Sequence, residues 1–267
     1  MPFWHINGEL TTEEIRQQMK DAKELAGFSG VSLLPLASHG KKVGTSPKFL
    51  SEEYFARYQD MIDVAEELNM EIILYDDNDF PSGMAGGKME ELYPDYTMKR
   101  LDKIEYSLKG PILFTDSLPG IQIMAAVALN SKTKERIEIS KYAKDGIIEW
   151  EVPEGEWTIM LFPLMKDSFH KKYLCMDFMD TTAVRYMINE TYEKYNERFG
   201  KYFGKTIKTT FFDDVGFWRH PRNWTARFNE KFEELNGFDP RPYYSALWYN
   251  IGPETEAVRN AFFNTRA

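Results

Sequence analysis

Carboxylates collect in this sequence where apolar runs stop. Ile207-Lys208-Thr209-Thr210-Phe211-Phe212 reads as a strand and ends on two adjacent acids, Asp213 and Asp214. Side chains alternate along a strand, so at least one of the pair is expected at its rim. Beside Phe211, Phe212, Phe217 and Trp218 such a carboxyl is expected to lose solvation and gain pKa. A carboxyl kept protonated near neutral pH can hand its proton to a leaving oxygen. Capping of a loop is the plainer role for the pair, and the residues alone leave both open.

Other polar residues sit in equivalent places. Glu71-Ile72-Ile73-Leu74-Tyr75 runs into Asp76, Asp77, Asn78 and Asp79, and Tyr173–Met176 runs into Asp177 and Asp180. The opening run brings Trp4, His5 and Asn7, and the run ending at Leu36 leads to Ser38 and His39. Carboxylates accept several hydroxyl hydrogen bonds at once, which suits a polyhydroxylated ligand, and they also suit a hard cation such as calcium. Each residue has a plainer role: Asp180 as a helix N-cap, Asp77 to Asp79 as turn formers, and His39 and His220 as solvated loop histidines. Trp4, Trp218 and Trp224 have the alternative of core packing.

The elements that would position these groups alternate. Thr11 and Glu14 have capping-box spacing before Ile15, Met19, Ala22 and Ala26, and Gly27 closes that helix. Gly30–Leu36 reads as a buried strand. Ser51 caps a helix whose face is Tyr54, Phe55, Tyr58, Met61, Ile62 and Ala65. Strand, helix and strand with short links imply parallel strands joined by right-handed crossovers. The expected parallel strands lie at about 3–6, 31–36, 71–75, 173–177 and 207–212, and their carboxyl ends share the face where α/β folds bind ligands.

Between residues 104 and 170 the rhythm is different. Ile121–Leu129, Arg136–Ile139, Ile147–Val152 and Trp157–Phe162 are strand-like, separated by Asn130-Ser131, Lys144-Asp145-Gly146 and Pro153-Glu154-Gly155. The expected organisation is therefore an α/β (β/α)8 TIM-type barrel over residues 1–103, an inserted small antiparallel β domain over 104–170, and the barrel's continuation over 171–267. With five of eight strands, and about 200 residues outside the insert, that barrel is expected to be incomplete. An open doubly wound sheet is the rival fold.

Composition narrows the partners. The 267 residues carry a net charge of −9, the wrong sign for a phosphate backbone, so no nucleic-acid partner is expected. No apolar run reaches the roughly 18 residues that cross a bilayer, so no membrane partner is expected either. Cys175 is the single cysteine, which excludes an internal disulfide and a cysteine-based zinc cluster. The first residues lack the pattern of a secretory signal, and a cytoplasmic location is expected, with secretion the alternative if the chain comes from a processed precursor.

Three segments carry a resemblance. Phe3-Trp4-His5-Ile6-Asn7-Gly8-Glu9-Leu10-Thr11 is similar to the Trp-x-x-Asn-Gly opening of α-L-rhamnosidase-like glycoside hydrolases. Tyr75-Asp76-Asp77-Asn78-Asp79-Phe80-Pro81-Ser82-Gly83-Met84-Ala85-Gly86-Gly87 resembles their Tyr-Asp-Glu…Pro-Ser-Gly-x-Ala-Gly-Gly segment. Phe211-Phe212-Asp213-Asp214, then Trp224-Thr225 and Asn236-Gly237-Phe238-Asp239-Pro240, resembles their Phe-x-Asp-Glu…Trp-Thr…Gly-Tyr-Asp block.

The resemblance implies a barrel hydrolase acting on terminal sugar residues through two carboxylic groups, with calcium as the one cofactor to consider. It places Asp214 where the family often has Glu, one methylene longer, and puts the second carboxylate on a later strand. Asp214 and Asp213 are the expected catalytic residues. Trp4, His5, Asn7, His39, Asp76, Asp77, Asp79, Asp177 and Trp224 are expected to contact the carbohydrate. A catalytically inactive sugar-binding protein is the alternative, and a metal-dependent hydrolase built on Asp76 to Asp79 is a further one. Gly83-Met84-Ala85-Gly86-Gly87 has neither spacing of a phosphate-binding loop.

Overall fold

A computed structural model of the chain describes residues 1–37, 44–168, 174–214 and 222–267. In chain order the first elements are β1 (Phe3–Ile6), α1 (Thr12–Glu24), β2 (Gly30–Pro35), α2 (Glu52–Glu67), β3 (Glu71–Tyr75) and the short α3 (Lys88–Leu92). Next come β4 (Lys99–Leu101), β5 (Ile104–Ser117), β6 (Gln122–Asn130), β7 (Arg136–Glu138), β8 (Ala143–Lys144) and β9 (Ile147–Lys166). The last are α4 (Thr181–Glu190), α5 (Tyr192–Phe199), β10 (Ile207–Phe211), β11 (Asn223–Trp224), α6 (Phe228–Asn236) and α7 (Thr255–Arg266). The described residues form two compact units, one from 1–97 and 168–216, the other from 98–167 and 217–267. No helix among them is long and apolar enough to cross a membrane.

The first unit is built on a parallel sheet of order β1-β2-β3-β10. Thr11 caps α1 by accepting the Glu14 N–H at 3.2 Å and donating its hydroxyl to the Glu14 carboxylate at 3.0 Å. Ser51 caps α2 in the same way through the Tyr54 N–H. The α2 face of Tyr54, Tyr58, Met61, Ile62 and Ala65 buries in one cluster with Val31, Leu33, Ile72 and Leu74 of the strands. Every residue of β2 is buried, as expected of a parallel strand covered on both faces.

The sheet is strongly curved. Phe3 and Phe211 lie on its two edge strands, yet their ring centroids are 5.0 Å apart in an edge-on contact. A flat sheet would hold those strands three spacings, about 14 Å, apart.

Four parallel strands are present among the described residues, not five. Tyr173 lies outside them, and Leu174–Asp177 take no place in the sheet. Met176 forms an isolated antiparallel bridge with Thr97. Its N–H donates to the Gly83 carbonyl at 2.7 Å, and the Asp177 N–H donates to the Tyr96 carbonyl at 2.8 Å. With these backbone groups taken by the loop after β3, the strand next to β3 is β10.

The second unit contains an antiparallel sheet. β5 pairs with β9 over almost its whole length, β6 pairs with the later part of β9, and β7 pairs with β6. The expected turns at Asn130-Ser131 and Lys144-Asp145-Gly146 are there, the second with φ of 52° at Asp145 and 80° at Gly146. Pro153-Glu154-Gly155 is not a turn. It lies inside β9, opposite a register shift in β5 at Gly110. There the backbones approach so closely that a Cβ on Gly110 would stand 1.9 Å from the Pro153 carbonyl oxygen. A bulge bends both strands at this point without separating them.

The third expected segment also divides differently. Residues 222–267 bury Trp224, Phe228, Phe232, Tyr244 and Phe262 in one cluster with Met124, Val127, Phe162 and Leu164 of the antiparallel sheet. They therefore belong with the β module, because its sheet face offers the apolar surface that these aromatic helices must cover. The helix expected from Trp224 begins at Phe228, Trp224 itself being in β11, and it ends as expected at Gly237, whose φ is 77°.

Candidate active site at the ends of β3 and β10

The loop after β3 is organised by one carboxylate. Asp77 is fully buried, and its Oδ1 accepts the N–H groups of Asn78 (2.8 Å) and Gly86 (2.7 Å). Its Oδ2 accepts those of Gly83 (3.0 Å), Met84 (2.7 Å) and Ala85 (2.9 Å). Burial pushes its pKa up, against the pull of these backbone donors. All five of these partners are donors, which is the surrounding an ionised carboxylate requires. Asp77 is thus a loop staple, with both oxygens bonded to the chain itself. Gly83, at φ 116°, lets Phe178 and Cys175 pack within 3.1 and 3.3 Å of where a Cβ would be.

Its neighbour Asp76, also fully buried, points into a hydroxyl network. Oδ1 accepts the Ser82 hydroxyl at 2.6 Å and Oδ2 accepts the Tyr192 hydroxyl at 3.0 Å. Burial, reinforced by the charge of Asp77, raises its pKa to about 7 in spite of these two donors. The Ser82 oxygen in turn accepts the Asp213 N–H at 2.8 Å, while the Ser82 N–H donates to the Asp213 carbonyl at 2.9 Å. Tyr75, the last residue of β3, donates its hydroxyl to Asp213 Oδ2 at 2.8 Å. Burial and the Asp213 carboxylate both raise the pKa of Tyr75, and burial and Asp76 that of Tyr192, so both phenols remain donors.

Tertiary structure therefore brings Asp76, Asp77, Asp79 and Asp213 to adjoining carboxyl ends of β3 and β10. Asp79, nearly buried at φ 82°, donates its N–H to the Pro35 carbonyl at 2.7 Å and so ties this loop to β2. Asp213 is half-buried. Asp214 is exposed, with φ of 49°. Of the pair expected to be desolvated beside aromatic rings, Asp213 is the more buried, and Phe212 next to it is exposed.

The remaining expected residues scatter. His5 and Asn7 are exposed on and just after β1. Trp4 faces the helix layer, packs on the core and donates its indole N–H to Gln18 of α1 at 3.0 Å. Asp177 is buried and accepts the Met179 N–H at 3.1 Å, and Asp180 caps α4 through the Thr182 N–H. Trp224, expected at the sugar, is fully buried in the core of the second unit, its ring 4.0 Å from that of Phe228. His39, Phe217, Trp218 and His220 lie outside the described residues.

These acids do not fit a calcium ion. Asp77 receives five N–H donors, Asp76 two hydroxyls and Asp213 another, and the described residues contain no group of three His, Cys, Asp or Glu placed to hold a metal. Ser82, Tyr75 and Tyr192 are the members that residue-type reasoning missed. Ser82 and Tyr75 stand within the quoted Tyr-Asp…Pro-Ser-Gly segment. Tyr192 starts α5, more than a hundred residues along the chain from Asp76, and carries no local signal.

Residues 96–264 match the sequence pattern of the alpha-L-rhamnosidase glycoside hydrolase family. Over 165 residues the chain is 32% identical to a Formosa agariphila protein provisionally named beta-glucuronidase, a stretch that covers 58% of this chain and 14% of that one. The structure of a rhamnosidase from Novosphingobium sp. PP1Y matches 99% of this chain and 43% of its own, with a TM-score of 0.61 and 13% identity, a likeness of fold. The chain spans less than half the length of either protein. With the family pattern covering more than half of its residues, the chain belongs to the alpha-L-rhamnosidase family of glycoside hydrolases.

Proposed function

We propose that this chain supplies the first strands of a (β/α)8-type glycosidase that releases terminal sugar residues from oligo- or polysaccharides, with Asp214 as the carboxyl group that serves the leaving oxygen. The observation that carries the reading is the position of Asp214. It is exposed immediately beyond β10, at the carboxyl edge of a parallel sheet, while its neighbour Asp213 is held by Tyr75 and Ser82. Ligands bind at that edge in parallel α/β folds. The curvature that brings Phe3 to Phe211 supports a sheet that closes into a barrel. An α-L-rhamnoside is the first substrate to test and a β-glucuronide the second, because the relatives carry those two names.

The test is hydrolysis of aryl α-L-rhamnosides and aryl β-glucuronides by a full-length protein that carries this chain and by its Asp214→Asn variant. General acid–base groups contribute roughly 10²–10⁴-fold, so kcat is expected to fall by about that factor with binding retained. An unchanged kcat would remove Asp214 from the chemistry. Sugar binding without turnover by the full-length protein would favour the inactive sugar-binding alternative.

A further inference from the structure

Ser82 lies where the two segments that end the parallel strands meet, and it makes three hydrogen bonds with two partners, Asp213 and Asp76. Its main-chain N–H and its side-chain oxygen grip the carbonyl and the N–H of the same residue, Asp213, at 2.9 and 2.8 Å. A serine hydroxyl has one proton to donate, and here Asp76 takes it at 2.6 Å, which turns the oxygen lone pairs toward the Asp213 N–H. Tyr192, donating to the other Asp76 oxygen at 3.0 Å, and the Asp77 staple on the Gly83–Gly86 amides hold this arrangement from behind. The next residue, Asp214, has a φ of 49°, in the left-handed region that a residue with a Cβ enters at a cost. Such a conformation persists where its surroundings over-determine it, and the two-point grip on Asp213 supplies that determination.

We infer that Ser82 is a positioning residue for the reaction: oriented by Asp76 and Tyr192, it clamps the main chain of Asp213 and so sets where Asp214 stands at the rim. The inference rests on the role given to Asp214 above. Neither Ser82 nor Asp76 needs to touch the substrate, since both are fully buried. Nothing in the quoted sequence segments assigns them this task.

The test uses Ser82→Ala and Asp76→Asn with two readouts. Asp76→Asn leaves Ser82 intact and replaces one of the two acceptor oxygens by an NH₂ group, so it probes the clamp even where Ser82→Ala folds poorly. The first readout is amide hydrogen exchange at Asp213 in the absence of substrate. Loss of one buried hydrogen bond is expected to speed exchange at Asp213 about tenfold or more, with amides in the middle of α2 unchanged. The second is steady-state hydrolysis of the aryl glycoside that the wild-type protein accepts. A positioning role predicts a fall in kcat of about tenfold or more with KM changed less than about threefold. Unaltered exchange at Asp213 in both variants overturns the clamp. Faster exchange with unaltered kcat overturns its role in positioning while leaving Asp214 in place. Failure of a full-length protein that carries this chain to hydrolyse any glycoside overturns the proposed function, and with it the positioning role, while the exchange readout still decides whether the clamp exists.

Discussion

Asp77 Oδ2 accepts the Ala85 N–H at 2.9 Å, and Ala85 sits at a φ of 51° that its methyl group disfavours. The two facts are one arrangement. A carboxylate that draws several consecutive N–H groups toward itself bends the main chain into left-handed conformations, and the hydrogen bonds offset the strain. The loop that carries Ser82 is therefore shaped from inside by Asp77.

Asp77→Asn should be strongly destabilising although it exchanges a single oxygen for an NH₂ group. The amide nitrogen would face N–H groups that now point at an oxygen, leaving at least two buried donors without an acceptor. Each such donor costs about 1–3 kcal/mol. A loss on the order of 3 kcal/mol is expected in urea unfolding, and a loss below about 1 kcal/mol would show that the staple is dispensable.

Asp76 should leave a signature in the pH dependence of stability. Its pKa rises from 3.8 to about 7 on folding, so between those values the folded protein binds the proton that the unfolded chain releases. Its contribution is present in full below about pH 4 and is lost as pH rises through 7. Asp76→Asn mimics the protonated form in size and charge. Relative to that variant, the wild-type protein should lose on the order of a few kcal/mol between pH 4 and pH 8. Parallel stability curves for the two proteins, followed by thermal unfolding, would refute the shift.

Trp224 should matter to stability and not to sugar binding. It is fully buried, donates its indole N–H to the Tyr244 hydroxyl at 3.1 Å, and contacts Phe228 and Phe262. Trp224→Ala is expected to cost about 3–5 kcal/mol. Trp224→Phe should cost less and leave the affinity for glycosides unaltered. Weakened glycoside binding by a well-folded Trp224→Phe protein would restore the ring to the site.

Local signals in the sequence determined the strands β1, β2, β3 and β10, the caps at Thr11 and Ser51, the stop at Gly237 and the presence of acids at the strand ends. Each depends on neighbours within a few residues: an apolar run, a capping hydroxyl, a glycine able to take positive φ. The Asp213-Asp214 pair was legible for the same reason, and so was the loop between Asp76 and Gly87 as a special segment. Which acid does what was not legible. Asp76, Asp77 and Asp79 look alike as residue types, and their roles part only when Ser82 and Tyr192 reach one and five loop amides reach the next.

Other outcomes were likewise decided by partners distant in sequence. Pro153-Glu154-Gly155 has turn composition, yet a long strand forms through it because β5 supplies a partner along its length, with Gly110 small enough to pass. Leu174–Asp177 has strand composition, yet its amides bond to Gly83 and Tyr96, and β10 takes the place beside β3. Trp224 has the composition of a sugar platform, yet an aromatic cluster with the antiparallel sheet buries it. Burial and hydrogen-bond partnership belong to the assembled chain: the same residue acts as ligand, staple or core according to what the fold sets against it.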